Sequence, residues 1–159
     1  MWVCERMMNM SDDWWLLLKQ MEKPNLFGNP DPIHLAVVGS RHYGNSQSFP
    51  DEHESHYEDF AQKLDEWADT NGTPTQVISG GAPGVDTMSE RWAEERGIDH
   101  KVHPAEWRKY GKRAGPIRNQ FIHDDATHGM AFMAPKSRGT KHTVSLFQRS
   151  GKPLTIHHI

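Results

Sequence analysis

Short apolar runs alternate along the chain with longer stretches whose apolar residues recur every three or four positions. The runs are IHLAVVG (33–39), TQVIS (75–79), GMAFMA (129–134) and KPLTI (152–156), with a more polar DHKVHP (99–104) among them. Each is bounded by glycine, serine or proline, the pattern of short buried strands. Between them, Tyr57, Phe60, Ala61, Leu64, Trp67 and Ala68 keep helical spacing until TNG stops them at 70–72. Val85, Met88 and Trp92 mark a second helix ending at Gly97, Pro116 is placed as the first residue of a third, and Val144 and Phe147 face inward on a fourth over 141–151. Residues 105–115 read as irregular or short-helical. Ser11 can cap a helix over 11–23 with Trp14, Leu17, Leu18 and Met21 on one face, and the proline-rich 23–32 then reads as a linker. Five strands alternating with helices predict an α/β fold, a doubly wound, mainly parallel five-stranded sheet flanked by helices, with an extra N-terminal helix. The boundaries follow: an N-terminal extension and linker at 1–32, and the α/β domain at 33–159.

Composition narrows the function. The 159 residues suffice for one domain with a substantial core. A formal net charge of −3 argues against a surface built mainly to hold a nucleic-acid backbone, so nucleic acid is not the expected partner. The single cysteine, Cys4, excludes an internal disulfide and suits a reducing, cytoplasmic setting. Glu5, Arg6, Asp12 and Asp13 interrupt any signal-peptide core, and WWLLL (14–18) is too short to span a membrane. Met10, just before SDDWW, is an alternative translation start. His53 and His56 in DEHESH, and the histidines of the closing IHHI, match no standard zinc spacing, so no metal is expected.

In a doubly wound sheet, ligands bind at the carboxyl ends of the strands, where strand order reverses. Four polar turns fall there. The first holds Gly39, Ser40 and Arg41. The second, SGGAPGVD, holds Ser79, Gly80, Gly81, Ala82, Gly84, Val85 and Asp86. Arg118 and Asn119 follow a Gly-Pro helix start, and Ser137, Arg138, Gly139 and Thr140 form the last. Glycines allow close approach to backbone amides, a helix start favours an anion, and arginine pairs with phosphate. Asp86 would repel a phosphate set directly on the helix end, so it is read as a cap or as an acceptor from a sugar or base. Lys112 and Arg113 read as a solvated basic face. Trp67 and Trp92 read as core, while Trp107 and Tyr110 either stack on a base or pack under the loop. The polar segment 41–55 is long for a connection and is either mobile or functional.

AVVGSR, ISGGAPGVDTMSERWAEERGI, HPAEWRKYGKRAGPIRN and RGT together resemble the YspA-like, cpYpsA-related members of the SLOG superfamily over most of residues 33–156. That resemblance implies a Rossmann-like fold binding nucleotides or nucleotide-derived molecules. It also brings relatives of several kinds: LOG phosphoribohydrolases, molybdenum-cofactor carriers, DprA proteins and sensors of ADP-ribose-type signals, often as dimers or larger assemblies. The hydrolytic LOG motif PGGxGTxxE is matched here by PKSRGTKHT. Lys136 and Ser137 replace its two glycines, and Thr143 stands where its glutamate would be. The leading expectation is therefore a soluble binder of a nucleotide-type ligand, acting as sensor, carrier or sequestering protein, with no certain cofactor and as a homo-oligomer. An N-glycosidase using a carboxylate or cation among Asp86, Glu90, Glu106 and Arg118 is one alternative. Single-strand DNA binding, as in DprA, is another.

Overall fold

The computed structural model describes residues 31–159, and the helix expected over 11–23 lies outside them. Residues Ile33–Ile159 form one compact unit. Its strands are β1 (His34–Gly39), β2 (Gln76–Ser79), β3 (Asp99–Val102), β4 (His128–Met133) and β5 (Leu154–His158). They build a single sheet in the order β3-β2-β1-β4-β5. Every pairing is parallel, with Ala36 opposite Ile78 on one side and Gly129 on the other. The fold is thus Rossmann-like, as expected. The order reverses between β1 and β4, which makes their carboxyl ends the topological switch point.

Side-chain alternation divides the core into two layers. Leu35, Val37, Val77, Met130 and Phe132 face one way, onto Phe60 and Leu64 of α1 (His53–Asn71) and Met88 and Trp92 of α2 (Val85–Glu95). Ala36, Val38, Ile78 and Ala131 face the other way. They meet Ile122 of α4 (Ala114–Asp125) and Val144 and Phe147 of α5 (Arg138–Ser150). Trp67 and Trp92 are both buried in the first layer. The indole N–H of Trp92 donates to Asp65 Oδ1 (3.0 Å), and Arg96 grips the same carboxylate through Nε and Nη2 (2.8 and 2.7 Å), tying α2 to α1.

Three element boundaries differ from expectation. Helix α1 begins at His53, a turn before Tyr57, with Glu54 in its first turn. Between β3 and α4 lie a single helical turn, α3 (Trp107–Tyr110), and a 3-10 turn, Gly111–Arg113, so α4 starts at Ala114 and Pro116 is its third residue. Proline is tolerated there because first-turn amides have no acceptor within the helix. The segment SRGT is the N-cap and first turn of α5, not a turn preceding it.

The polar 41–52 segment is held in place locally. His56 stacks on Tyr43 at 4.4 Å, meets Phe49 edge-on and accepts the Gly44 amide at its Nδ1 (3.3 Å). Gly44, at φ +75°, packs against Met88. Among the described residues no helix is long and apolar enough to cross a membrane.

Candidate functional site

A cavity of about 370 Å3 opens at the switch point. Its walls come from the end of β1 (Val38 to His42), the start of α2 (Ala82, Asp86), the first turns of α4 (Arg118, Asn119, Ile122) and the β4–α5 connection with the start of α5 (Ala134, Lys136 to Thr140, Thr143). The structure therefore brings together Gly39, Ser40, Arg41, Ala82, Asp86, Arg118, Asn119, Ser137, Arg138, Gly139 and Thr140 of the residues singled out in the sequence. His42, Lys136 and the apolar Val38 and Ile122 join them without having been singled out as ligand contacts. Lys136 was legible in principle, as a cation one residue before the Ser137 turn.

The rest of SGGAPGVD does not line the cavity, because the loop is occupied with itself. Asp86 is buried, and its Oδ2 accepts the amides of both Gly80 and Ala82 at 3.1 Å. Asp86 thus clasps the loop through Oδ2 while still lining the cavity. Gly84 lies at φ +83° with Ser40 O 2.4 Å from where a Cβ would sit, and the Val85 amide donates to that same oxygen (3.1 Å). A Cβ on Gly80 would fall 2.1 Å from Arg118 Nη1, one on Gly81 2.7 Å from Val102, and one on Gly39 2.6 Å from Val85. These glycines admit neighbouring protein atoms. Ser79 is fully buried and turns toward Glu90 and His100 (3.4 and 3.3 Å). Glu90 accordingly sits away from the cavity. Glu106 lies elsewhere, on the surface beside Lys109 (3.6 Å).

The start of α5 behaves differently. Neither the Gly139 nor the Thr140 amide has an acceptor among the described residues, and a Cβ on Gly139 would meet nothing within 4 Å. Thr140 lines the cavity with only 5% of its surface exposed, and its hydroxyl, which is not sealed from the cavity, makes no side-chain hydrogen bond among the described residues. Ser137, the N-cap residue, makes no capping bond with its side chain. Ser40 Oγ accepts the His42 amide (3.2 Å), which leaves its own proton free to donate. Arg41, Lys136 and Arg138 are exposed cations on the rim. A concave site with unsatisfied amides, free hydroxyls and cations at a helix start is suited to an anion.

Arg118 is fixed before any ligand arrives. Its Nη1 donates to Gly80 O (2.7 Å) and its Nε to Asn119 Oδ1 (3.0 Å). Asn119 is buried and its Nδ2 lies 3.3 Å from Gly139 O and 3.2 Å from His142 Nδ1, so the arginine is braced against α5. Burial lowers the Arg118 pKa, against the pull of Asp86. Burial also pushes the Asp86 carboxyl up to about 6, against the two amides and Arg118, which favour its charge. Among the described residues, Asp86 is the only carboxylate on the wall of this cavity. Thr143, at the position where the LOG motif carries glutamate, is buried on that wall, and its hydroxyl donates to Gly139 O (3.3 Å).

A doubly wound, five-stranded parallel sheet flanked by helices, with a cleft at its switch point, defines a Rossmann-like domain. The chain belongs to the YspA, cpYpsA-related SLOG family, whose sequence model matches residues 55–110. It is 34% identical over 84 residues to the Gene 61 protein of Mycobacterium phage D29, covering 49% of this chain and 67% of that one. Its fold is similar to that of DNA processing protein A from Helicobacter pylori, described for its single-stranded DNA binding mode (TM-score 0.53, 18% identity, 79% of this chain and 65% of that one). DprA from Streptococcus pneumoniae is similar as well (TM-score 0.55, 19% identity, 79% of this chain and 50% of that one). The chain thus spans less than two thirds of either structure, and at these identities the likeness concerns the fold.

Proposed function

We propose that the switch-point cavity binds a nucleotide or nucleotide-derived small molecule, with its phosphate at the start of α5. The observation that carries this reading is the pair of acceptor-free amides at Gly139 and Thr140, beside the unpartnered Thr140 hydroxyl and the braced Arg118. The phosphate site is assigned to RGT and not to SGGAPGVD, whose Gly80 and Ala82 amides are already bonded to Asp86. The role is binding. Bound nucleotide is expected to be recovered intact, since Thr143 offers no carboxylate and Asp86 Oδ2 already serves two amides. Base release that disappears in Asp86→Asn would instead assign N-glycoside hydrolysis.

Native mass spectrometry of the purified chain with added AMP and ADP-ribose is the direct test, and a stoichiometric complex is the expected outcome. Arg118→Ala should weaken that complex by ~1–3 kcal/mol in calorimetry, the scale of a lost charge-assisted bond. Unchanged affinity would remove Arg118 from the site.

A second reading is single-strand nucleic-acid binding. It is favoured by exposed Trp107, Tyr110 and Phe121 next to Arg108, Lys109, Lys112 and Arg113, a combination of stacking faces and cations. The H. pylori protein of similar fold binds single-stranded DNA. Gel shift with oligonucleotides separates the two readings.

A further inference from the structure

A second cavity, about 350 Å3, lies on the other side of Arg118. Its walls include His103, Glu106, Tyr110, Ile117 and Phe121, and Arg118 is common to both cavities. The core has no use for its aromatic side chains. Phe121 is 53% exposed on a helix whose Asn119 and Ile122 are buried, and Tyr110 is 37% exposed on a single helical turn that buries none of its residues. Phe121 lies nearly parallel to the His103 ring (23°, centroids 6.0 Å apart), and His103 is in turn held by Asp125 Oδ2 (2.7 Å). His103 and Phe121 thus make one flat aromatic wall, and Lys109 Nζ lies 4.9 Å from the centre of the Tyr110 ring. The charge of this cavity differs from that of the first. Lys109 is matched by Glu106, whereas the first cavity gathers several cations around one buried carboxylate.

Resting on the nucleotide reading of the first cavity, we propose that the second cavity is the subsite for the base, and that it selects a base bearing an exocyclic amine. A planar neutral ring is what an aromatic wall recognises. Lys109 and Glu106 offset each other, and the remaining cation on this wall, Arg118, is already bonded to Gly80 O and Asn119 Oδ1. The Glu106 carboxylate is an acceptor only, so it favours the amino group of adenine over the carbonyl of uracil. The volume lies within the usual range for small-molecule sites, roughly 300–1,000 Å3. Arg118, shared by both walls, stands between phosphate and base.

Calorimetry on the full chain with ribose 5-phosphate, AMP and UMP tests this. AMP should bind at least about tenfold tighter than ribose 5-phosphate, and Phe121→Ala and Tyr110→Ala should abolish that advantage while leaving ribose 5-phosphate binding unchanged. Both side chains are exposed, so unaltered melting of the variants is expected and is checked alongside. Glu106→Gln should remove the preference for AMP over UMP. If AMP keeps its advantage in both aromatic variants while ribose 5-phosphate binds normally, the base lies elsewhere and the proposal falls, with the first cavity's reading intact. If neither ribose 5-phosphate nor AMP binds the unaltered protein, the nucleotide reading falls and takes this one with it. A dT oligonucleotide that binds where mononucleotides do not overturns both in favour of a nucleic-acid track.

Discussion

Two glycines show how one residue type serves opposite ends. Gly84 is needed by the fold, because its φ of +83° and the backbone of Ser40 and Arg41 leave no room for a side chain. Gly84→Ala is expected to cost several kcal/mol or prevent folding, since clash and forbidden φ act together. Gly139 sits in open space in the first turn of α5, so Gly139→Ala should be neutral or stabilising by up to ~1 kcal/mol in denaturant melts, and any loss of phosphate binding would then be a direct effect on the site. Asp86 is costly to the protein in a different way. Its pKa of about 6 lies above the ordinary 3.8, so the folded chain binds a proton more tightly than the unfolded one. Stability from this group is therefore fullest below about pH 4 and falls as pH rises to about 6. Asp86→Asn keeps an oxygen for the two amides and removes the charge. It should be more stable than the parent at pH 7–8, by on the order of 2–3 kcal/mol, with the gap closing near pH 4 in urea titrations. A smaller gap at pH 7 than at pH 4 would show that burial is not what sets the Asp86 titration. None of this was legible in SGGAPGVD, which reads the same whether its amides face a ligand or a carboxylate six residues on.

At the scale of the elements, legibility follows contrast. Four of the strands and helices α1 and α2 stood out because apolar and polar positions alternate sharply there. Helix α5 was also found, but its start was misplaced by three residues. Arg138, Gly139 and Thr140 carry no apolar periodicity, and Ser137 forms no side-chain cap to announce them. That same absence of a cap leaves the amides open, so the feature that hid the helix start is the one that makes it a site. The other end of α5 was plain. Gly151, at φ +75°, closes it by donating its amide to Phe147 O (3.0 Å). Gly151→Ala should lower stability by about 1 kcal/mol in thermal melts without touching either cavity, a control for the α5 variants.

Over the whole molecule, net charge and local charge disagree. The chain carries −3, yet cations collect along one sheet edge, at Arg41, Lys136 and Arg138 around the first cavity and at Lys109, Lys112 and Arg113 near the second. The overall balance argued against nucleic acid, and it could not report this clustering because folding, not composition, gathers the cations. Salt dependence measures which cations a ligand meets. A mononucleotide, with its one phosphate in the first cavity, should show a shallow slope of log K against log salt, about −1 to −2, while an oligonucleotide with phosphates along both cavities should show a slope near −0.7 per phosphate contacted. A steep slope for oligonucleotides together with undetectable AMP binding would decide for the second reading.

Arg118 is pinned to Gly80 and Asn119 in the free protein, and one guanidinium forms the partition between two chambers. On the two-chamber reading, a sugar phosphate and a free base are fragments that can sit side by side without either having to order the partition. Joining them makes the second contact intramolecular, with an effective concentration set by the ribose that links them. The joined ligand should then bind far more tightly than either fragment, whereas a longer spacer between phosphate and base should forfeit most of that gain although every contact group is still present.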